Sequence, residues 1–197
     1  MGRKESKIQR WASYSLGIII IAFCSNPLTS SPIDHHQERF EEIALQIWEY
    51  AELGYLEEKS SKLLQQELEE SGFEIKSGIA GIPTAFIAEY NNGGPVIGIL
   101  GEFDALPGLS QQNVPFKTSE GLDSNNGHAC GHHLFGAASA WAVVAIKEWI
   151  EKTDTPGTIR FYGTPAEEGG SGKVYIARDG YFNDVDIVLH WHPASSN

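Results

Sequence analysis

Cysteine is nearly missing, with two residues in a chain of 197. A disulfide-stapled scaffold is therefore excluded, and stability must come from a packed core. Basic residues are scarce as well, 14 against 26 acids for a net charge of −12. Four of them (Arg3, Lys4, Lys7, Arg10) fall in the first 30 residues beside the single acid Glu5, so that segment is +3 and the remaining 167 residues carry −15. A body of that sign repels phosphate backbones and argues against a nucleic-acid partner. The one sustained apolar run, residues 11–23 (WASYSLGIIIIAF), is shorter than the roughly 20 residues that span a bilayer as a helix. No internal repeat and no low-complexity segment is present.

What is present suits one globular domain: 41% hydrophobic residues, 20% charged and 11% aromatic, in a length within the range of about 100 to 200 residues of a single domain. The apolar run behind a basic start reads as a signal peptide. Small residues at Thr29, Ser30 and Ser31 offer a cleavage region. Residues 1–31 are thus expected to be leader and linker, and the protein to be exported, periplasmic or secreted, or held at the membrane by an uncleaved leader. Phe23 before Cys24 is too bulky for a lipoprotein signal.

Beyond the linker, Asp34 is expected to cap a helix whose apolar residues Phe40, Ile43, Ala44, Ile47 and Trp48 recur with helical period and so share one buried face. A second helix is expected over residues 58–71, ended by Gly72. Strands are expected at 73–77, 84–90 and 96–103, with a turn at Asn92-Gly93-Gly94. Residues 105–131 form a long Gly-, Pro-, Ser- and Asn-rich loop of the kind that is usually functional. Helix (132–150), strand (158–162), helix (171–178) and strand (185–190) then alternate. The alternation gives an α/β fold class, and polar groups gather at strand ends, where open α/β sheets place their sites.

Five of seven histidines lie in two short pieces, His128 to His133 and His190-Trp191-His192. Cys130 and His132, separated by a permissive Gly131, are able to turn onto one metal ion; the alternative is a core cysteine beside solvated histidines. Glu167 and Glu168 are adjacent carboxylates whose side chains diverge, so that one can bind metal while the other accepts a proton from water; the alternative is an acidic pair at a helix start. Asp104, or Glu102 near it, can hydrogen-bond a ligating histidine. The Gly169 to Lys173 stretch has Lys173 where a nucleophile elbow needs Gly, and Val174 where a phosphate loop needs Ser or Thr. His-Glu-x-x-His does not occur.

With GEFDALPG (101–108), GHACGH (127–132), PAEEGG (165–170) and HWHP (190–193) in that order, the chain resembles the aminoacylase/carboxypeptidase family of metal-dependent amidohydrolases. Within it the resemblance is to the branch of aminobenzoyl-glutamate utilisation proteins, and it covers residues 38 to 197. It implies a zinc-peptidase-like catalytic domain over residues 32–197, α/β with a mixed, mostly parallel sheet flanked by helices. It also implies one or two divalent ions, zinc or manganese, held by Cys130, His132 and Glu168, with Glu167 as general base and Asp104 supporting the site. Either His190 or His192 supplies a further ligand; the Trp-His-Pro run favours His192, but the spacing to Pro193 makes His190 the preferred choice. The family continues into further segments that supply one more histidine, so this chain is expected to be an N-terminal part, inactive alone. Expected partners are a small amide substrate, a second copy in the full-length protein and a partner subunit. A dipeptidase of the same family, or a non-catalytic metal-binding relic, are the rival expectations.

Overall fold

The computed structural model describes residues 34–194, so the expected leader over residues 1–31 lies outside the described residues. Among the described residues no helix is long and apolar enough to cross a membrane.

A single 3-10 turn at Asp34–His36 leads into α1 (Gln37–Tyr50). The N-cap is His36, with no side-chain cap bond, so Asp34 stands one turn too early for the role its residue type suggested. Phe40, Ile43, Ala44 and Ile47 do share the buried face. Helix α2 (Glu58–Glu70) ends as Gly72 suggested: with Gly72 at φ +87°, its amide bonds Glu69 O at 2.9 Å and that of Phe73 bonds Leu68 O at 3.0 Å. This reciprocal pair is the Schellman closure, and it carries Phe73 into the core.

Five strands follow, β1 (Glu74–Ser77), β2 (Phe86–Asn92), β3 (Val96–Gly101), β4 (Gly157–Gly163) and β5 (Ile187–Leu189), in the sheet order β1-β2-β4-β3-β5. Pairings β1·β2 and β2·β4 are antiparallel, β4·β3 and β3·β5 parallel. Four strands thus point one way and β2 alone runs back, while the pairings divide evenly between the two kinds. β2 and β3 are joined by the short Gly93-Gly94-Pro95 turn, a length that ordinarily leaves two strands hydrogen-bonded to each other. Here β4 lies between them, and the turn wraps its start: Thr158 N–H donates to Pro95 O at 2.9 Å.

Alternate residues of the central strands face opposite layers. Phe86, Ala88, Ile99, Ile159 and Phe161 pack under α1, α2 and the long α3 (His132–Thr153), whereas Ile87, Leu100 and Tyr162 pack with Ile79, Ile82 and Ile176 of α5 (Gly172–Arg178) on the other face. A four-residue helix, α4 (Glu167–Gly170), separates β4 from α5. α3 sits close on the end of β3 because Gly136 has no side chain; a Cβ there would stand 2.6 Å from Glu102 O.

Candidate metal centre

Because β3, β4 and β5 are mutually parallel, their carboxyl ends open on one edge of the sheet, as open α/β sheets arrange their sites. Glu102 and Asp104 follow β3, Glu167 and Glu168 follow β4, and His190 to His192 follow β5. The 105–131 loop returns to the same edge and delivers Cys130 just before α3, whose first residue is His132.

His132 is fully buried between two equally buried carboxylates. Its Nδ1 is 2.8 Å from Asp104 Oδ1, and its Nε2 is 2.9 Å from Glu102 Oε2 and 3.9 Å from Glu167 Oε2. Burial disfavours a charged ring, but the hydrogen bonds to Asp104 and Glu102 outweigh it and lift His132 to about 10. Glu102 moves the other way: burial opposes its charge, yet His132 and the Lys173 ammonium draw it down to about 2. The second oxygen of Asp104 accepts the Glu168 amide at 2.9 Å, so Asp104 joins the imidazole to the turn that bears both glutamates.

Of the residues expected at the site, Cys130, His132 and His192 come together with ligand atoms all within 4.8 Å, as do Glu102, His132 and Glu167. His192 Nε2 is 3.4 Å from both Cys130 Sγ and His132 Nε2. His190 belongs to neither group but borders the second, with Nε2 3.6 Å from Glu102 Oε1 and its ring edge-on to Phe135. Glu168 borders the cluster; burial and this neighbouring carboxylate push the Cys130 thiol up to about 12. Glu167 is the open member, its side chain 41% exposed.

This donor set fits a divalent cation. A neutral His132 holds a proton on one nitrogen, which leaves the lone pair of the other facing a carboxylate. A cation at Nε2, with Nδ1–H on Asp104, satisfies every group at once. Glu168 Oε1 is buried with no hydrogen-bond partner, and Glu102 Oε2 faces only the His132 ring, at 2.9 Å; buried carboxylate oxygens so placed call for a positive charge. Thiolate, imidazole and carboxylate together match zinc and similar first-row ions.

Several further groups around the site were given no role by the sequence. Lys173, in the stretch that fails as a phosphate loop, pairs with Glu102. The His128 ring shares a hydrogen bond of 3.0 Å with Ile47 O and lies with His133 against Trp48; burial pulls these two rings down to about 4 and about 3, so both are neutral. Glu57, more than 100 residues away in sequence, is buried behind the glutamate turn, where it accepts the Ala166 amide at 2.7 Å.

Comparison with known proteins identifies the family of the chain. Residues 98–197 match the family described as Peptidase family M20/M25/M40. The chain is 46% identical over 161 residues to a subunit of the p-aminobenzoyl-glutamate hydrolase of Escherichia coli, covering 82% of this chain and 34% of that protein. It is 34% identical over 158 residues to the hippurate hydrolase of Campylobacter jejuni, covering 79% and 39%. The crystal structure of the Bacillus subtilis YXEP protein, a dinuclear metal-binding peptidase from the M20 family, superposes with a TM-score of 0.70 at 29% identity over 82% of this chain and 44% of that one. The chain thus spans between a third and two-fifths of the length of these curated relatives. With an ordered set of four motifs brought to one sheet edge and a family match across more than half its residues, the chain belongs to the M20/M25/M40 peptidase family.

Proposed function

We propose that residues 32–197 belong to the catalytic domain of a metal-dependent amidohydrolase that cleaves N-acyl or aminobenzoyl amino acids. Cys130, His132, Glu168 and His192 hold metal, Glu167 is the general base, and His190 stays with Glu102. The observation that carries this reading is the convergence of Cys130, His132 and His192 donor atoms within 4.8 Å beside a carboxylate pair of which only Glu167 is open. When bound, one or two ions of zinc or manganese lower the pKa of a coordinated water and polarise the amide carbonyl.

The chain's own groups divide the remaining work. Asp104 takes the Nδ1–H of His132 and leaves Nε2 free to ligate. Cys130 gives up its proton on metal uptake, so affinity rises with pH. Glu167 accepts a proton from the attacking water and delivers it to the departing amine nitrogen. Names of the relatives support an aromatic acyl group on an amino acid as substrate, since the E. coli relative is named for p-aminobenzoyl-glutamate; that it is one subunit of its hydrolase also supports a partner subunit here. Export through the 1–31 leader is part of the same proposal; N-terminal sequencing of the natural protein should then find a start near Thr29 to Ser31.

The test is amide hydrolysis by the natural full-length protein loaded with zinc or manganese, on p-aminobenzoyl-glutamate, hippurate and dipeptides. Metal-dependent release of p-aminobenzoate or benzoate is expected. Preference for dipeptides would move the substrate assignment, and no hydrolysis of any amide would defeat it. Glu167→Ala should keep its metal and lose roughly 100- to 10,000-fold in turnover; undiminished turnover would remove Glu167 from the base role.

A further inference from the structure

The turn that carries Glu167 and Glu168 is held in a conformation its residues do not favour. Ala166, immediately before them, has φ +58° and ψ +41°, a left-handed conformation that an L-residue with a Cβ adopts only when its surroundings require it. Three contacts surround it, and all come from residues 52–57, the connection between α1 and α2. The Glu57 carboxylate, 0% exposed, accepts the Ala166 amide on Oε1 at 2.7 Å and the Thr84 hydroxyl on Oε2 at 3.2 Å. Tyr55 donates its hydroxyl to Gly170 O at 2.6 Å, at the far end of α4. Gly54 lies so close beneath that a Cβ would stand 2.9 Å from Ala166 Cα.

The same connection also reaches the strand end on the other side of the site. Leu53 forms a bridge with Ala105, and the Ala105 amide donates to Glu52 O at 2.8 Å, one residue past Asp104. The segment therefore ties the residue after Asp104 to the turn before Glu167. Both donors that reach the Glu57 carboxylate from elsewhere are neutral, so an acid buried there gains no ion pair for its desolvation. A leucine or methionine would fill the space at lower cost, but neither would accept the Ala166 amide.

We propose that Glu57 is a positioning residue: by accepting the Ala166 amide it holds the left-handed turn that sets the directions of Glu167 and Glu168, with Tyr55 fixing the other end of α4. The proposal rests on the hydrolase reading for its consequence in turnover, but the clamp itself is a property of the fold and has its own readout. Exchange of the Ala166 amide proton, followed by mass spectrometry or NMR on the full chain, reports it without substrate or metal.

In Glu57→Ala the Ala166 amide should exchange about tenfold faster, the equivalent of one lost hydrogen bond. In the metal-loaded full-length enzyme, kcat should drop roughly 10- to 100-fold with KM within about threefold, because the base is misdirected while contacts to substrate persist. Glu57→Gln keeps an oxygen for the amide and should restore both readouts to within about threefold of wild type. Tyr55→Phe, at a half-exposed position, removes only the hydroxyl that reaches Gly170 O and should lower kcat a few fold. If Glu57→Ala does not fold, Glu57→Gln and Tyr55→Phe decide. A Gln variant with a fast-exchanging Ala166 amide, or a folded Ala variant with unchanged exchange and kcat, overturns the proposal. Amide exchange that responds as expected in a protein that hydrolyses no amide would leave the clamp standing and defeat the hydrolase reading instead.

Discussion

Replacing Glu57 by Gln should stabilise the protein at pH 8 and have a far smaller benefit in acid. The carboxyl is fully buried. Burial raises it from near 4.5 to about 7, against the opposing hydrogen bonds from its own amide, Ala166 and Thr84. Below about pH 4.5 the group is protonated in the native and unfolded chains alike, and its titration is neutral for stability. Between about 4.5 and 7 the unfolded chain has released a proton that the native state still holds, so stability falls by about 1.4 kcal/mol for each pH unit. Above 7 both are ionised and the full penalty, about 3 kcal/mol, persists. That is a large fraction of a typical folding free energy of roughly 5 to 15 kcal/mol. The assay is urea unfolding of metal-free wild type and Glu57→Gln at several values from pH 5 to 8. Subtracting the two curves removes every other titrating group, and any constant cost of the new amide offsets the difference without changing its slope against pH. The difference should grow in favour of the variant as pH rises to 7 and then level off. A flat difference would refute the reasoning, because it would mean that Glu57 ionises in the fold as freely as in water.

Asp104→Asn preserves shape but removes the charge that orients His132, and should weaken zinc affinity roughly 10- to 100-fold in a chelator competition titration. Cys130, partly exposed and with its thiol pushed up to about 12, should react slowly with iodoacetamide at pH 7. Zinc uptake should release protons and become tighter from pH 6 to 8; pH-independent affinity would exclude the thiolate as ligand. Gly136→Ala forces a methyl to within 2.6 Å of Glu102 O and should cost about 1 to 3 kcal/mol in denaturant unfolding, by displacing α3 from the strand end. Arg160→Met leaves Glu89 and Asp184, which it joins at 2.5 and 2.9 Å, without their shared partner, and should lower stability by about 1 to 3 kcal/mol, an effect smaller at high salt.

Much of the secondary structure follows from local pattern. The Phe40, Ile43, Ala44, Ile47 stripe places α1, Gly72 stops α2 because it alone tolerates the left-handed closure, and alternating burial along Phe86 to Ala88 and Ile159 to Tyr162 identifies both faces of the sheet. The donor chemistry is equally local, since a thiol, two histidine pieces and a glutamate pair are visible as residue types. Pairing is not local. Nothing in Asn92-Gly93-Gly94 announces that a strand about 60 residues later slides between its neighbours, because that outcome is decided by which faces bury most apolar area across the whole sheet.

Without coordinates, periodicity within short windows thus determined the fold class, residue types the set of groups able to bind a cation, and the resemblance of four ordered motifs pointed to the family. Only the tertiary structure decided which of those groups meet. His190 and His192, two residues apart, would share a face of a regular strand; the chain leaves β5 at Leu189, and only the folded path past that point puts His190 against Glu102 and His192 against Cys130 and His132. Glu57 and Lys173 look like surface charges in sequence and become site residues because loop closure brings them to the carboxyl ends of β3 and β4. Contacts between residues so far apart in the chain depend on how helices and strands pack, and packing is settled by the sum of buried area, hydrogen bonds and chain entropy over the whole domain.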